Sequence, residues 1–418
     1  MSISQNYPTV RPQLLIDIAN TELLDSRVVS SRATVGTYYD KFGVLQTASA
    51  NVPRVGYNPS TGAVEGLIRE AQGTNLMTYS EEFDNAVWSK TNSTVTANTI
   101  VAPDGTLTGD ELVENTANST HNLQLSPTPP AIGTYTLSSY AKADSRSGIV
   151  LLASGSAVRA VVAFDLLTSS VRAQRVVGSS TITEATITAV ENGWYRCTMT
   201  FVFGAVINNL QMGIDDGTSA LGDNGVVYTG DGYSGIFIWG AQLEAGAFPT
   251  SYIPTVASQV TRSADLASMT GANFSSWYRA DEGTLYADFA PVGVPTTGWH
   301  YWFTLSSSTG TLIAIRQFGT LNNKYRTDVN SATQNEIDLG ASVVGVYKKV
   351  AINYKVNNVA SSFDGNTAVA DTSALIPVVN RLDIGFLTGT TGRTNLHLKK
   401  LSYFPARLSN EELQEMTS

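Results

Sequence analysis

The chain carries a single cysteine, Cys197, among 418 residues. No disulfide can form within it, so its domains must hold by their cores alone, which large β-domains can do. Charge is scarce as well. Asp, Glu, Lys and Arg make up 15% of the sequence, against about 25% in an average soluble protein. The polar surface must come from Ser, Thr, Asn and Gly, which suit strands and turns better than helices. The 26 Lys and Arg are scattered among 35 Asp and Glu, for a net charge of −9. No basic stripe can track phosphates, which argues against nucleic acid as a partner. The three histidines, His121, His300 and His397, are isolated. With no G-x-S-x-G elbow, phosphate-binding loop or dinucleotide fingerprint, a hydrolase triad and nucleotide chemistry are both unsupported. The opening "MSISQNYPTVRPQ" lacks the basic region and apolar run of a secretory signal. No stretch approaches about 18 apolar residues, so no membrane-inserted helix is expected.

What is present is alternation. Hydrophobic residues, 42% of the chain, recur every second position in short runs between turn residues, the pattern of β-sandwiches. Examples are "TYTLSSYAKA" (Thr134 to Ala143), "YRCTMTFVF" (Tyr195 to Phe203), "GIFIWGAQLE" (Gly235 to Glu244) and "LHLKKLSYFP" (Leu396 to Pro405). Helical signals are confined to a short segment after Tyr79, "SEEFDNAVW", and to the C-terminus, where Ser409 and Glu412 fit a capping box. The class is all-β. Cys197, ahead of an apolar strand, reads as a buried thiol.

Three sections emerge. Residues 1–73 hold an early apolar strand (Leu14 to Ile18) and a hairpin within Thr37 to Ala48, turning at Asp40 to Gly43. With few apolar residues, this section reads as an extended arm that packs on the other domains or on a neighbouring subunit. Residues 74–261 suit one sandwich, and residues 262–418 a second with a short C-terminal helix. Between them, Pro249 and Pro254 in "FPTSYIPTVASQVTRSAD" cannot donate to a central ladder, so a stiff, extended connection is expected.

Several stretches resemble a family of bacteriophage virion proteins: "RATVGTYYDKFGVLQTASANVPRVGYNPSTG", "GTNLMTYSEEFDNAVWSK", "YTLSSYAKA", "NGWYRCTMTF", "YTGDGYSGIFIWGAQLEAGAFPTSYIPT" and "LHLKKLSYFPARLSNEEL". Together they cover the chain nearly end to end. The resemblance implies a carbohydrate-binding-module-like jelly roll followed by a concanavalin A-like (laminin-G-like) sandwich, in a tail fibre, tailspike, baseplate or capsid decoration. It also implies synthesis in the bacterial cytoplasm, where disulfides are rare, and residence on the virion. Its partners would be other virion proteins and further copies of itself. A trimer, as in tail fibres, follows from the resemblance together with an arm that cannot fold alone. Three functions stay open: adhesion to host surface glycan, a purely architectural subunit, and a glycan depolymerase.

Candidate chemistry is thin. A glycosidase needs two carboxyls at a set separation. Glu244 ends an apolar strand with no evident acid partner, and Asp281 and Glu282, being adjacent, point to opposite faces of a strand. The expectation is therefore no catalytic residue and no resident cofactor. Calcium is the one metal candidate: Asp215, Asp216, Asp223 and Asp231 lie among glycines in "GIDDGTSALGDNGVVYTGDGYSG". The same Asp-Gly pairs are also turn signals. Sugar contacts would fall to aromatics, because a flat ring covers the apolar face of a pyranose. Trp299 and Tyr301 in "TGWHYWF", Tyr233 in the Asp-rich loop, and Tyr278 are the candidates. Trp88, Trp194 and Trp239 are read as core, and His397, in an alternating strand, as structural.

Overall fold

The computed structural model describes residues 8–127, 132–293, 298–319, 322–390 and 393–418. Its architecture is all-β, with two antiparallel sandwiches. In the first, one sheet runs in the order Ser180–Ala189, Trp194–Phe203, Gly133–Ala143, Gly235–Ala245, Gly109–Glu114, Ser93–Ile100. The facing sheet runs Ser170–Val177, Val158–Asp165, Gly148–Gly155, Ile207–Asp215, Asn122–Leu125, Ser89–Thr91. Alternate side chains meet between them, among them Leu137, Met199, Phe201 and Ile238 from one sheet and Leu151, Val161 and Phe164 from the other. Cys197 lies in this core, where burial pushes its thiol well above the usual range.

The second sandwich is not built from the C-terminal section alone. Leu14–Asp17 pairs with the strand Asn395–Phe404 over Lys400 to Tyr403, and Val64–Arg69 pairs with it over Leu396 to Leu398. The two lie end to end along one flank of that strand. Val55–Tyr57 extends the same sheet, and Val29–Ser31 pairs with Leu266–Thr270 at the edge of the facing sheet. The expectation of an extended arm is thus corrected. Residues that cannot bury a core alone do so by joining strands from the far end of the chain. Leu14 and Ile16 are fully buried while Leu15 between them is exposed, the alternation of a strand with one wet face. The first sandwich is therefore inserted between two halves of the second.

The insertion is clamped at its base. Gly73–Asn75 pairs antiparallel with Val260–Arg262, which brings the entry and exit of the inserted module to one strand spacing. An insertion needs such neighbouring ends. Beside them lies a buried ionic cluster. Arg54 meets both Glu70 (2.8 Å) and Asp265 (2.5 Å), Arg32 meets Asp265 (2.9 Å), and Arg262 reaches Glu70 (3.4 Å). Burial opposes ionisation of Glu70, yet Arg262 and Arg54 outweigh it and hold the carboxyl well below its usual range. The amides of residues 70 and 265 close the cluster through reciprocal bonds: Glu70 N–H donates to the Asp265 carboxylate (3.0 Å), and Asp265 N–H to the Glu70 carbonyl (2.9 Å).

Two smaller expectations meet the structure differently. "SEEFDNAVW" forms no helix: it is a series of turns, with Tyr79 at φ 49° and the Phe83 amide captured by the Asp110 carboxylate (3.0 Å). The C-terminal helix is present at Asn410–Thr417, with both halves of its Ser409–Glu412 capping box.

Candidate functional site

The hairpin Gly36–Tyr39/Leu45–Ala48 forms where the sequence places it. Asp40 accepts from the amides of Phe42 and Val44, and Gly43 takes φ 75° in the turn. It does not stand free. Leu45 packs into a cluster with Ala102, Tyr140, Val190, Trp194, Trp239 and Tyr252 on the outer face of the first sandwich. A register break in Gly235–Ala245 creates that outer cluster. Ile236 and Ile238 face the sandwich core, as do Ala241 and Leu243, so the phase slips by one residue at Trp239–Gly240. Gly240 sits at φ 62°, and a Cβ there would come within 2.8 Å of the Tyr140 ring. Trp239 is consequently buried, but outside the sandwich interior, with Tyr252 at 4.9 Å and Tyr140 at 5.3 Å between ring centres.

The same slip turns Gln242 and Glu244 to the outer face, beneath the proline-bearing connection. Glu244 accepts from the Thr250 amide (2.8 Å), the Thr250 hydroxyl (2.6 Å) and Gln242 (2.6 Å). Burial raises its pKa, with those bonds working against the rise. Glu244 does have an acidic neighbour: Glu70 accepts from the next amide, that of Ser251, at 2.7 Å. Both carboxylates hold the connection, Glu244 with help from Gln242 and Glu70 with Arg54 on its other side. Their arrangement anchors a strap across the junction.

Between strap, hairpin and the two sandwiches opens a cleft of about 340 Å³. Tyr38 and Tyr39 line it from the hairpin, Tyr57 from the second sandwich, Phe248 to Tyr252 from the strap, and Glu184, Thr186 and Arg196 from the first sandwich. Tyr39 and Tyr140 share a hydroxyl–hydroxyl bond of 2.7 Å. The Tyr57 hydroxyl donates to Glu22 (2.7 Å), and burial together with that bond pushes its pKa up to about 12. Arg196 donates to the Thr250 carbonyl (3.0 Å) and the Ser138 hydroxyl (3.1 Å). His397, whose pKa burial lowers, faces Glu65 at 3.4 Å. Concave sites at domain interfaces, with aromatic walls and a few fixed polar groups, are the usual geometry for small ligands.

The sequence candidates lie elsewhere and apart from one another. Trp299 is part-exposed at the end of its strand, with the Arg316 guanidinium 3.7 Å above its ring and Phe318 at 5.0 Å. Tyr301 is buried with Leu312, Ala314 and Leu387, which corrects its reading as a surface contact. Tyr233 is exposed in a turn whose amides bind Asp231. Tyr278 stacks on Phe274 (4.7 Å) and walls a separate open depression with Thr270 and Arg381. The calcium candidates do not converge. Asp215 is buried against Arg172 (2.6 Å), Asp216 caps the turn at Thr218 and Ser219, Asp223 pairs with Arg175, and Asp231 caps Ser234. Each carboxylate is spent on an arginine or a turn. Among the described residues no group of three or more His, Cys, Asp or Glu could hold a metal ion. Tyr38, Tyr39, Tyr57 and Arg196 carry no local mark as site residues, because only the insertion brings them together. The one available signal was the aromatic pair in "TYYDKFG".

No family model and no curated protein matches the chain. Among solved structures, a NanB sialidase of Streptococcus pneumoniae is similar at TM-score 0.32 and 11% identity, over 36% of this chain and 26% of the sialidase, so the chain spans about a quarter of that enzyme. The CBM40 module of a Ruminococcus gnavus IT-sialidase, bound to alpha2,3 sialyllactose, is similar at TM-score 0.30 and 11% identity, covering 35% of this chain and 88% of the module. Domains LG4-5 of the mouse laminin alpha1 chain give TM-score 0.23 and 10% identity, covering 71% of this chain and 95% of theirs.

Proposed function

We propose that this chain is a non-enzymatic adhesin of a bacteriophage particle, with the cleft between its sandwiches as the glycan-contacting site. The cleft carries the glycan part of the reading. It sets the half-buried rings of Tyr38, Tyr39 and Phe248 beside hydroxyls and a guanidinium in a concave space of about 340 Å³. Rings of that kind cover the apolar face of a pyranose while polar neighbours read its hydroxyls. Weak binding per copy is multiplied on a particle that displays many copies. The virion part rests on the sequence resemblance, and with it the partnership with other virion proteins and the homo-oligomer. The non-enzymatic part is supported by the engagement of the candidate acids: Glu244 by the strap and Asp281 by Arg279.

A glycan array probed with the full chain tests the reading, alongside adsorption of particles that lack it. Binding that Tyr38→Ala removes is the expected result. Normal adsorption together with an empty array would leave the architectural subunit. Release of reducing ends from host polysaccharide would replace adhesion with depolymerisation.

A further inference from the structure

We infer that the cleft selects neutral glycans over acidic ones, an inference that rests on its reading as a glycan site. Its charged lining residues are Glu65, Glu70, Glu184, Arg196 and His397. Three are acids; of the two basic groups, His397 faces Glu65 and Arg196 is held by neutral acceptors. Arg196 gives one terminal nitrogen to the Thr250 carbonyl and the other to the Ser138 hydroxyl, with its guanidinium 5.8 Å from the Tyr140 ring centre. Its Nε is buried without a hydrogen-bond partner. Two of its five N–H donors are thus engaged and the Nε is buried, so a carboxylate would have to share the second protons of nitrogens already bonded to Thr250 and Ser138. His397 lies against Glu65, and burial favours its neutral form. Behind Glu70, Arg54 and Arg262 are spent on Glu70 and Asp265.

Of the acids, Glu70 is held by Arg54 and Ser251 and Glu65 lies against His397, which leaves Glu184 uncommitted. Glu184 stands exposed on the edge strand Ser180–Ala189 and forms no ion pair with any described residue. A sialic or uronic acid entering here would lose hydration next to Glu184 and Glu65 and meet one cation, Arg196, already held by Thr250 and Ser138. The net charge of −9 adds repulsion at longer range. A neutral hexose or N-acetylhexosamine meets no such penalty. It finds the rings of Tyr38 and Phe248 and the hydroxyls of Thr186 and Thr188.

The experiment measures binding of the full chain to neutral hexose and N-acetylhexosamine oligosaccharides and to their sialic- and uronic-acid-terminated counterparts, at low and high salt. Neutral ligands should bind with little salt dependence and lose binding in Tyr38→Ala. Glu184→Lys, on an exposed position that the fold does not need, should strengthen binding of the acidic set about two- to fivefold, the range of an exposed ion pair. A preference for acidic glycans that Tyr38→Ala still abolishes would overturn the selectivity while leaving the cleft as the site. No gain in Glu184→Lys would also overturn the charge argument. Absence of binding to both sets, or binding indifferent to Tyr38→Ala, would overturn the glycan reading and this inference with it.

Discussion

The two sandwiches use the same kind of strand but close in different ways. The first lies wholly between Ser89 and Ala245, and its sheets are completed within that stretch. The second is closed by its ends: Leu67 sits opposite Leu398, and Val29 opposite Ser268. Order along the chain is therefore a poor guide to domain membership here. An inserted module is thermodynamically tolerable because loop-closure entropy grows only logarithmically with length. It also creates a junction that neither sandwich could form alone, and there the ionic cluster, the strap and the cleft all reside.

The junction should be the most sensitive point. Removing one partner of a buried ion pair leaves the other charge stranded, so Glu70→Ala should cost about 3–5 kcal/mol in urea unfolding. A loss no larger than that of a surface substitution would show that the two sandwiches do not depend on the cluster. Next comes the first strand. Leu14→Ala should cost about 2–5 kcal/mol. The same change at exposed Leu23 should stay within about 0.5 kcal/mol. Equal effects at the two positions would restore the free-arm reading.

The pH response sharpens the contrast further. Burial raises Glu81 from 4.5 to about 7 and Asp110 from 3.8 to about 6, so the fold favours their protonated forms. Their contribution is complete below the unfolded values and is lost as pH rises through about 6 to 7. Glu70 has the opposite sign: its depressed pKa gives stability above 4.5 that is lost as pH falls towards the folded value. Melting temperatures between pH 4 and pH 8 should show the first slope, and Glu81→Gln should flatten it. An unchanged slope in that variant would remove Glu81 from the account. The smallest effect is at Cys197, whose buried, protonated thiol should resist a thiol reagent in the native chain and react on unfolding.

Much of the fold was legible because a half-buried strand writes its period directly into the sequence. The hairpin turn at Asp40–Gly43 and the Ser409–Glu412 capping box were legible for the same local reason, since their partners lie three or four residues apart. The arm's place is not legible, because Leu14 and Ile16 are too few to bury one another and their partners stand beyond Lys400. The burial of Tyr301 is not legible either, because alternation assigns a residue to a face without saying whether that face is covered; here Leu312 and Leu387 cover it. The aspartates read equally as ligands or turn residues, and the arginines opposite them come from other strands. The trimer expectation leaned partly on an arm without a core, and that segment now has its partners within one chain.

The sequence by itself determined the all-β class, most of the strands, the buried thiol and the buried tryptophans, because these depend on local periodicity and composition. Only the tertiary structure decided that the first sandwich is an insertion, that Trp239 is buried on an outer face, and that Tyr38, Tyr57, Arg196 and Phe248 share one cleft. The physical reason is range. A strand's pattern states that one of its faces must be buried, but the residue that buries it can lie anywhere along the chain.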